Sequence, residues 1–417
     1  MERLPGFRDF YPEPLPHQDV WSADARQYIF HHWRATARRY GFREYDGPPL
    51  ESLELFTTKS GDEIVGQLYN FKDKGERDVA LRPEMTPTLA RMAAAHERNY
   101  RKPFKWFAVP QLFRYERPGR GRLREHFQLN ADIVGETDPA SEAELLSLLI
   151  DILRSLKLTE ADFVVRLSSR NAWHDFFHRH QGKPEKEYEF YQVIDKLERE
   201  DPETNQEKLA ALGFSLVEVM SFIEKAEPTT ELQLILDNLA ARGLDAYVKI
   251  DYGIIRGLAY YTGIVFEAFD RKGELRAIAG GGRYDNLIKL ISGGKVNLPA
   301  LGFGMGDVVL LELLKARGLL PKFDAAVDVF CLIEDESLRR DSLKLIQRLR
   351  EAGLVAEYSL TPAKPDKQFK RAQELGASRT VKLERNAAGE LVVRARELRT
   401  REEQMLTCEE IVKTLKP

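Results

Sequence analysis

From Arg122 to Ile133 polar and apolar residues alternate, a period of two that fits a strand with one wet and one buried face and does not fit a helix. Arg122, Arg124, His126, Gln128, Asn130 and Asp132 share one side, while Leu123, Phe127, Leu129, Ala131 and Ile133 mostly share the other. Upstream, "FRYER" (113–117) reads as a partner strand and "PGRGR" as the turn-rich loop of a hairpin. One face is core and the other carries polar chemistry.

Five arginines fall between Arg114 and Arg124, opposed within that run only by Glu116. The chain as a whole does not account for them. Its 63 Lys and Arg against 66 Asp and Glu give a formal charge of -3, so any polyanion site must be local. A solvated charged hairpin is the plain alternative. Arg114 and Glu116, on one face of the first strand, could instead set guanidinium groups over a ligand's phosphates.

A length of 417 residues suggests two or three domains. The 2 cysteines, Cys331 and Cys408, are too few and too far apart for a disulfide framework or a CxxC zinc site, which fits a reducing compartment. The N-terminal "MERLPGFRDFYPEP" lacks the apolar core of a secretory signal, and no uncharged apolar run could span a bilayer. We expect a cytoplasmic protein with no membrane partner.

Helical spacing over 18–40 ends at Gly41, and "FREYDGPPLE" reads as a short strand broken by Pro48 and Pro49. Ser141 and Glu144, at capping-box spacing, open a long amphipathic helix. Residues 171–240 turn charged and helical, an inserted subdomain, before strand signals return in "AYVKIDYG", "TGIVFEAF" and "LRAIAGGG". After a boundary near 316–326, strands alternate with crossover helices, predicting a small α/β domain with a mixed sheet. The expected layout is a core over 1–320, interrupted by 171–240, and a second domain over 325–417.

Further segments share the polar character of the hairpin. "LRPEMTP" (81–87) places Glu84 and Thr86 on one face, "IIRGLAYYTGIVFE" (254–267) carries Arg256 and two adjacent tyrosines, and "AGGGRYDNL" (279–287) carries a glycine run that admits close backbone approach. Together these stretches resemble the histidyl-tRNA synthetase family of class II aminoacyl-tRNA synthetases. The hairpin matches a class II motif with its "FRxE" signature, while "RGLAYYTGIVFE" and "GGGRYDNL" match two signatures peculiar to the histidine enzymes. "LPGFRDFYP" also fits, and "PALGFGMG" (299–306) resembles the third class II motif.

The resemblance implies an α+β fold: an antiparallel six-stranded class II sheet with flanking helices, a helical insertion, a C-terminal α/β anticodon-binding domain, and a homodimer built around the segment containing Pro48. It implies two steps. Histidine attacks the α-phosphate of ATP, with magnesium, to give histidyl-adenylate, and the terminal ribose of tRNA(His) then takes the histidyl group. Arg256 would be the catalytic arginine, with Arg114 beside it on the α-phosphate. Glu84, Thr86 and Gln128 would hold the ammonium and carboxylate of histidine, while Asp132 and Tyr261 bracket its imidazole with Tyr260 and Tyr284 nearby. Glu116 would contact ATP or its metal, Arg122, His126 and Gly304 complete the ATP site, and Arg117 and Arg120 reach the tRNA acceptor end. No protein-held metal is expected.

Some positions depart from the family pattern. Asp132 stands where glutamate is usual and His126 where phenylalanine is common, so adenine would stack on an imidazole. Asp307, Val308 and Val309 offer no arginine where the third motif closes with one over the adenine, and Ala259 replaces a common aspartate. These departures keep a second reading open, the synthetase-like regulatory paralogue that partners ATP phosphoribosyltransferase. That paralogue typically lacks the anticodon domain and has lost catalytic residues, whereas this chain keeps Arg256, Arg114 and Glu116.

Two clusters have ordinary explanations. His174 and His178 in "WHDFFHRH" sit at i, i+4 as in zinc hydrolase helices, but the sequence marks no third ligand and Trp173, Phe176 and Phe177 suggest a packed helix. Lys364, Lys367, Lys370 and Arg371 have the spacing of a solvated helix face, or of a tRNA contact within an anticodon domain.

Overall fold

A computed structural model describes residues 2–415 apart from 18–19, 61, 120, 198–199, 256–260 and 324–326. Its chain divides into two units, residues 1–10 with 25–320 and residues 11–24 with 321–417.

The first unit is organised by one sheet of nine strands: β1 (Arg43–Glu44), β2 (Phe104–Ala108), β3 (Gln111–Phe113), β4 (Glu125–Val134), β5 (Phe163–Ser169), β6 (Val248–Ile250), β7 (Ile264–Asp270), β8 (Ala279–Arg283) and β9 (Ala300–Gly306). Their order is β6-β5-β7-β8-β9-β4-β2-β1, with β3 beside one end of β4. The run from β5 to β2 is antiparallel throughout, and β6 and β1 join it in parallel at the two edges. The expected antiparallel six-stranded sheet is therefore present, with a short parallel strand added on each side.

The alternation in β4 does what the sequence required: Leu129 and Ala131 are fully buried and Ile133 nearly so. The helix Ala140–Ser155, whose Leu145, Leu146, Leu148, Leu149 and Ile152 are all buried, packs against β4 and β9. Its start differs from expectation. Asp138, not Ser141, satisfies the first free amides, its side chain accepting from the Ala140 N–H at 2.8 Å and its carbonyl from the Ser141 N–H at 3.0 Å. Glu144 is instead drawn to Lys105 and Arg242, at 2.7 and 2.8 Å.

The hairpin also differs. Its first strand ends at Phe113; beyond it the hairpin is held by the bond from Arg114 N–H to the Arg124 carbonyl and by an isolated antiparallel bridge between Gly119 and Arg122, and the other described residues of 114–124 belong to no strand. Arg124 consequently leaves the polar strand face. Its guanidinium stacks on Tyr115 at 4.3 Å and donates to the Glu116 carbonyl.

Between β5 and β6 the chain forms the helices Arg170–Arg179, Glu187–Lys196, Pro202–Ala211, Leu216–Lys225 and Thr230–Ala241. Trp173, Phe176, Phe177, Phe190 and Phe214 are buried here, and the Trp173 indole N–H donates to the Tyr252 carbonyl at 3.0 Å.

In the second unit β10 (Val329–Leu332), β11 (Ala356–Tyr358), β12 (Arg379–Arg385), β13 (Leu391–Glu397) and β14 (Glu403–Leu406) form a mixed sheet in the order β11-β10-β12-β13-β14. Buried Gln368 ties the helix Pro365–Glu374 to the end of β10, accepting from the Ile333 N–H and donating to its carbonyl.

One buried ion network closes the first unit beneath its loop. Arg8 Nε lies 2.6 Å from Glu125 Oε1 and its Nη1 2.8 Å from Asp307 Oδ2, and all three side chains are almost wholly buried. Asp307 also accepts from the Phe127 amide at 3.0 Å. Burial pushes the Asp307 carboxyl up, and the Arg8 charge opposes that. Removing one partner strands buried charge, so we expect Arg8→Ala to cost roughly 3–5 kcal/mol in urea unfolding. A loss below about 1 kcal/mol would show that water replaces the arginine freely.

Candidate active site

Strand register builds the site. Trp106, Asp132, Gly302, Gly282 and Val265 stand opposite one another across β2, β4, β9, β8 and β7. Two residues along, Ala108, Asn130, Gly304, Gly280 and Glu267 form the next row, and Glu267 faces Arg166 on β5. Glycines thus occupy the middle of both rows on one face, leaving a floor without side chains. A methyl group on Gly302 would lie 1.9 Å from Asp132 Oδ1, and one on Gly304 2.7 Å from Gln128 Cδ. Both glycines are needed for Asp132 and Gln128 to lie against the sheet.

Over this floor opens a cleft of about 860 Å³, lined by Arg114, Glu116, Arg122, His126, Gln128 and Gly304. That volume falls within the usual range of small-molecule sites, roughly 300–1,000 Å³. Arg114 donates from Nε to the Pro83 carbonyl at 3.0 Å, which brings the half-buried Glu84 and Thr86 beside it. That segment is fixed in turn by buried Arg82, which donates to the carbonyls of Gly47 and Gln111. Arg122 Nε lies 2.7 Å from Glu116 Oε2, yet the pair lacks hydrogen-bond alignment and that buried oxygen accepts none. Burial, then the positive charges of Arg114 and Arg8, push the His126 imidazole down to about 3, so the ring is neutral at physiological pH.

At one end of the floor Asp132, 3% exposed, accepts from the Tyr284 hydroxyl at 2.5 Å. Burial lifts its carboxyl to about 7, against the lowering effect of that hydrogen bond. Tyr284 is itself positioned by Arg283, whose Nε and Nη2 grip both oxygens of Glu142 at 2.6 and 2.7 Å. Tyr261 packs in the same apolar cluster as Tyr284 and Leu89. Tyr45 carries a buried hydroxyl without a hydrogen-bond partner among the described residues, and burial, then the Asp132 charge, hold its pKa well up.

Arg256, Tyr260 and Arg120 lie outside the described residues. Arg117 is exposed on the loop, and Lys367, Lys370 and Arg371 are exposed on the second unit's helix Pro365–Glu374. Sequence reasoning missed Tyr45, Arg166, Glu267 and Arg276. The last three line the cleft: Glu267 closes a stretch singled out for its arginine and tyrosines, Arg276 stands in one read only as a strand, and the segment around Arg166 carries no motif. It also missed a third group beside His174 and His178: Glu187, from the next helix, brings three potential ligand atoms within 4.8 Å. The exposed His174 already bonds a Glu187 oxygen at 2.7 Å, and Tyr191 donates to that same oxygen, so a surface ion pair accounts for the cluster.

Known proteins resemble this chain in sequence and share its fold. Residues 15–307 match the family model described as Histidyl-tRNA synthetase, and residues 326–417 match one described as Anticodon binding domain. A histidine–tRNA ligase of Opitutus terrae is 43% identical over 425 residues, covering 96% of this chain and 95% of its own. Among solved structures, a histidyl-tRNA synthetase from Nostoc sp. PCC 7120 superposes with a TM-score of 0.77 at 23% identity, covering 97% of each chain. A protein from Bacillus halodurans described as an ATP phosphoribosyltransferase regulatory subunit/histidyl-tRNA synthetase does so at 0.71 and 20% identity, covering 89% of this chain and 96% of its own. The fold is thus shared with a protein whose description includes the regulatory role.

Proposed function

The chain belongs to the histidyl-tRNA synthetase family, and we propose that the cleft over its glycine floor is where it activates histidine with ATP before transfer to tRNA. It is a histidine–tRNA ligase, a reading carried by 43% identity running through 96% of the chain. The match over 326–417 favours the ligase over the regulatory paralogue, which typically lacks an anticodon domain.

Asp132 and Tyr284 form the polar end of the floor and read the imidazole ring, with Tyr261 beside them. A buried polar pair rejects isosteres that leave its own groups unpaired. Gln128, Glu84 and Thr86 hold the ammonium and carboxylate, and set the carboxylate oxygen toward the α-phosphate. Arg114 meets the charge that develops there as the oxygen attacks and pyrophosphate leaves, and Arg256 is proposed to share that task. A neutral imidazole at His126 offers adenine a face at no cost in charge.

The carboxylate of Glu116, whose Oε2 lies beside Arg122 without accepting a hydrogen bond among the described residues, and that of Glu267 are hard donors suited to magnesium, which when bound would neutralise phosphate charge. No helix among the described residues is long and apolar enough to cross a membrane. The cytoplasmic location and the homodimer around Pro48 rest on the family resemblance.

Arg117 and Arg120 are assigned to the acceptor end of tRNA, and Lys367, Lys370 and Arg371 to its anticodon arm. Phosphate contacts position a nucleic acid and weaken with salt. Changing Lys367, Lys370 and Arg371 together to Ala should raise KM for tRNA about tenfold at physiological salt and leave adenylate formation unchanged. Equal charging by the triple variant would remove that surface from the tRNA path. The function itself is tested by charging: purified protein should attach histidine to tRNA(His). Failure to charge, together with tight binding to a phosphoribosyltransferase, would favour the regulatory reading.

A further inference from the structure

Four described arginines line the cleft, and two are paired: Arg122 Nε lies 2.7 Å from Glu116 Oε2, and Arg166 Nη1 3.4 Å from Asp251 Oδ2. Arg114 and Arg276 have no carboxylate partner among the described residues. Arg114 is already assigned to phosphate. Arg276 is exposed and lies in the connection between β7 and β8.

Its side chain crosses to the arginine-rich loop and the start of the helix Asp307–Ala316. A Cβ placed on Gly121, where φ is +67°, would sit 3.5 Å from Arg276 Cδ and 3.4 Å from Val309 Cγ2. Arg276 and Val309 therefore flank the same point of the loop. The wall there is aliphatic, with Leu123, Ile278, Val308 and Val309 all lining the cleft. Asp307, which begins this helix, is turned away into its bonds with Arg8 and the Phe127 amide. A guanidinium with no carboxylate partner among the described residues, beside Val309 in a cleft with aliphatic lining, suits a flat aromatic ring better than a phosphate, because the planar, weakly hydrated cation stacks on π faces.

We propose that Arg276 holds the adenine of ATP by stacking its guanidinium on the base, so that the β7–β8 connection supplies the cation absent from positions 307 to 309. This rests on the ATP-dependent reading of the cleft. The corollary is that base recognition and phosphate recognition use different arginines, Arg276 and Arg114.

The test uses the full-length protein, with Arg276→Ala and Arg276→Lys, in histidine-dependent exchange of pyrophosphate into ATP, with adenosine and inorganic tripolyphosphate as competitors. Arg276→Ala should raise KM for ATP about tenfold and weaken adenosine to a similar degree, leaving KM for histidine and tripolyphosphate inhibition unchanged. Arg276→Lys should recover little, since a lysine keeps the charge without the plane. An unchanged KM for ATP overturns the proposal. So does a parallel loss of tripolyphosphate inhibition, which would put the guanidinium on phosphate. If the wild-type protein shows no exchange, the parent reading fails, and calorimetric titration of ATP into wild type and Arg276→Ala then decides the arginine's role alone.

Discussion

Arg114→Ala is expected to lower kcat for histidine-dependent pyrophosphate exchange by about 10²–10³, the usual cost of removing one preorganised donor from developing charge. The side chain is half-buried and its one hydrogen bond among the described residues runs from Nε to the Pro83 carbonyl, which leaves the other guanidinium nitrogens for the cleft that Arg114 lines. The loss should therefore fall on the reaction. Unfolding in urea should stay within about 1 kcal/mol of wild type, since a single net hydrogen bond is worth about that much. A kcat within tenfold of wild type would move the phosphate site elsewhere on the sheet.

Asp132→Asn should separate stability from function. In the folded protein burial lifts this carboxyl from 3.8 to about 7, whereas the unfolded chain releases its proton near the ordinary value. The folded state thus binds the extra proton between roughly pH 4 and 7, and the group's contribution to stability falls as pH rises through that window. Asparagine cannot ionise and its carbonyl can still accept from the Tyr284 hydroxyl. The variant should therefore gain up to about 4 kcal/mol over wild type at pH 8, with little gain near pH 4, at 1.36 kcal/mol per pKa unit. Its kcat/KM for histidine should fall by roughly 10²–10³, because the ring loses an ionised acceptor. Denaturation at the two pH values and exchange across histidine concentrations measure both effects. Retained histidine kcat/KM would mean that another group, Tyr284 or the Tyr45 hydroxyl that is unpartnered among the described residues, reads the ring without Asp132.

β4 was legible because its faces meet different media, core on one side and cleft on the other. Its partner strand was not, since alternation in "FRYER" continues past the point where Arg114 and Arg124 turn to Pro83, Tyr115 and Glu116. The capping box at Ser141 had the right spacing but lost to Asp138, because the helix starts one residue earlier and Asp138 accepts from the Ala140 and Ser141 amides. The glycine run at 280–282 signalled close approach, but the glycines that make room for site residues stand on the neighbouring strand, in "PALGFGMG". Only the register shows that Gly302 makes room for Asp132 and Gly304 for Gln128. Arg8 meets partners 117 and 299 residues along the chain, a separation no local pattern encodes. Arg276 was hidden for a related reason: its segment reads as a strand approach, and only the loop opposite gives its charge a purpose.

The decisive assay is exchange of labelled pyrophosphate into ATP by the full-length protein, run with magnesium and each amino acid in turn. Exchange with histidine and with none of the others is expected if the Asp132 end of the floor and the Arg114 end of the cleft act on one pair of substrates. No exchange with histidine, or equal exchange with a second amino acid, would contradict a cleft that couples imidazole recognition to ATP.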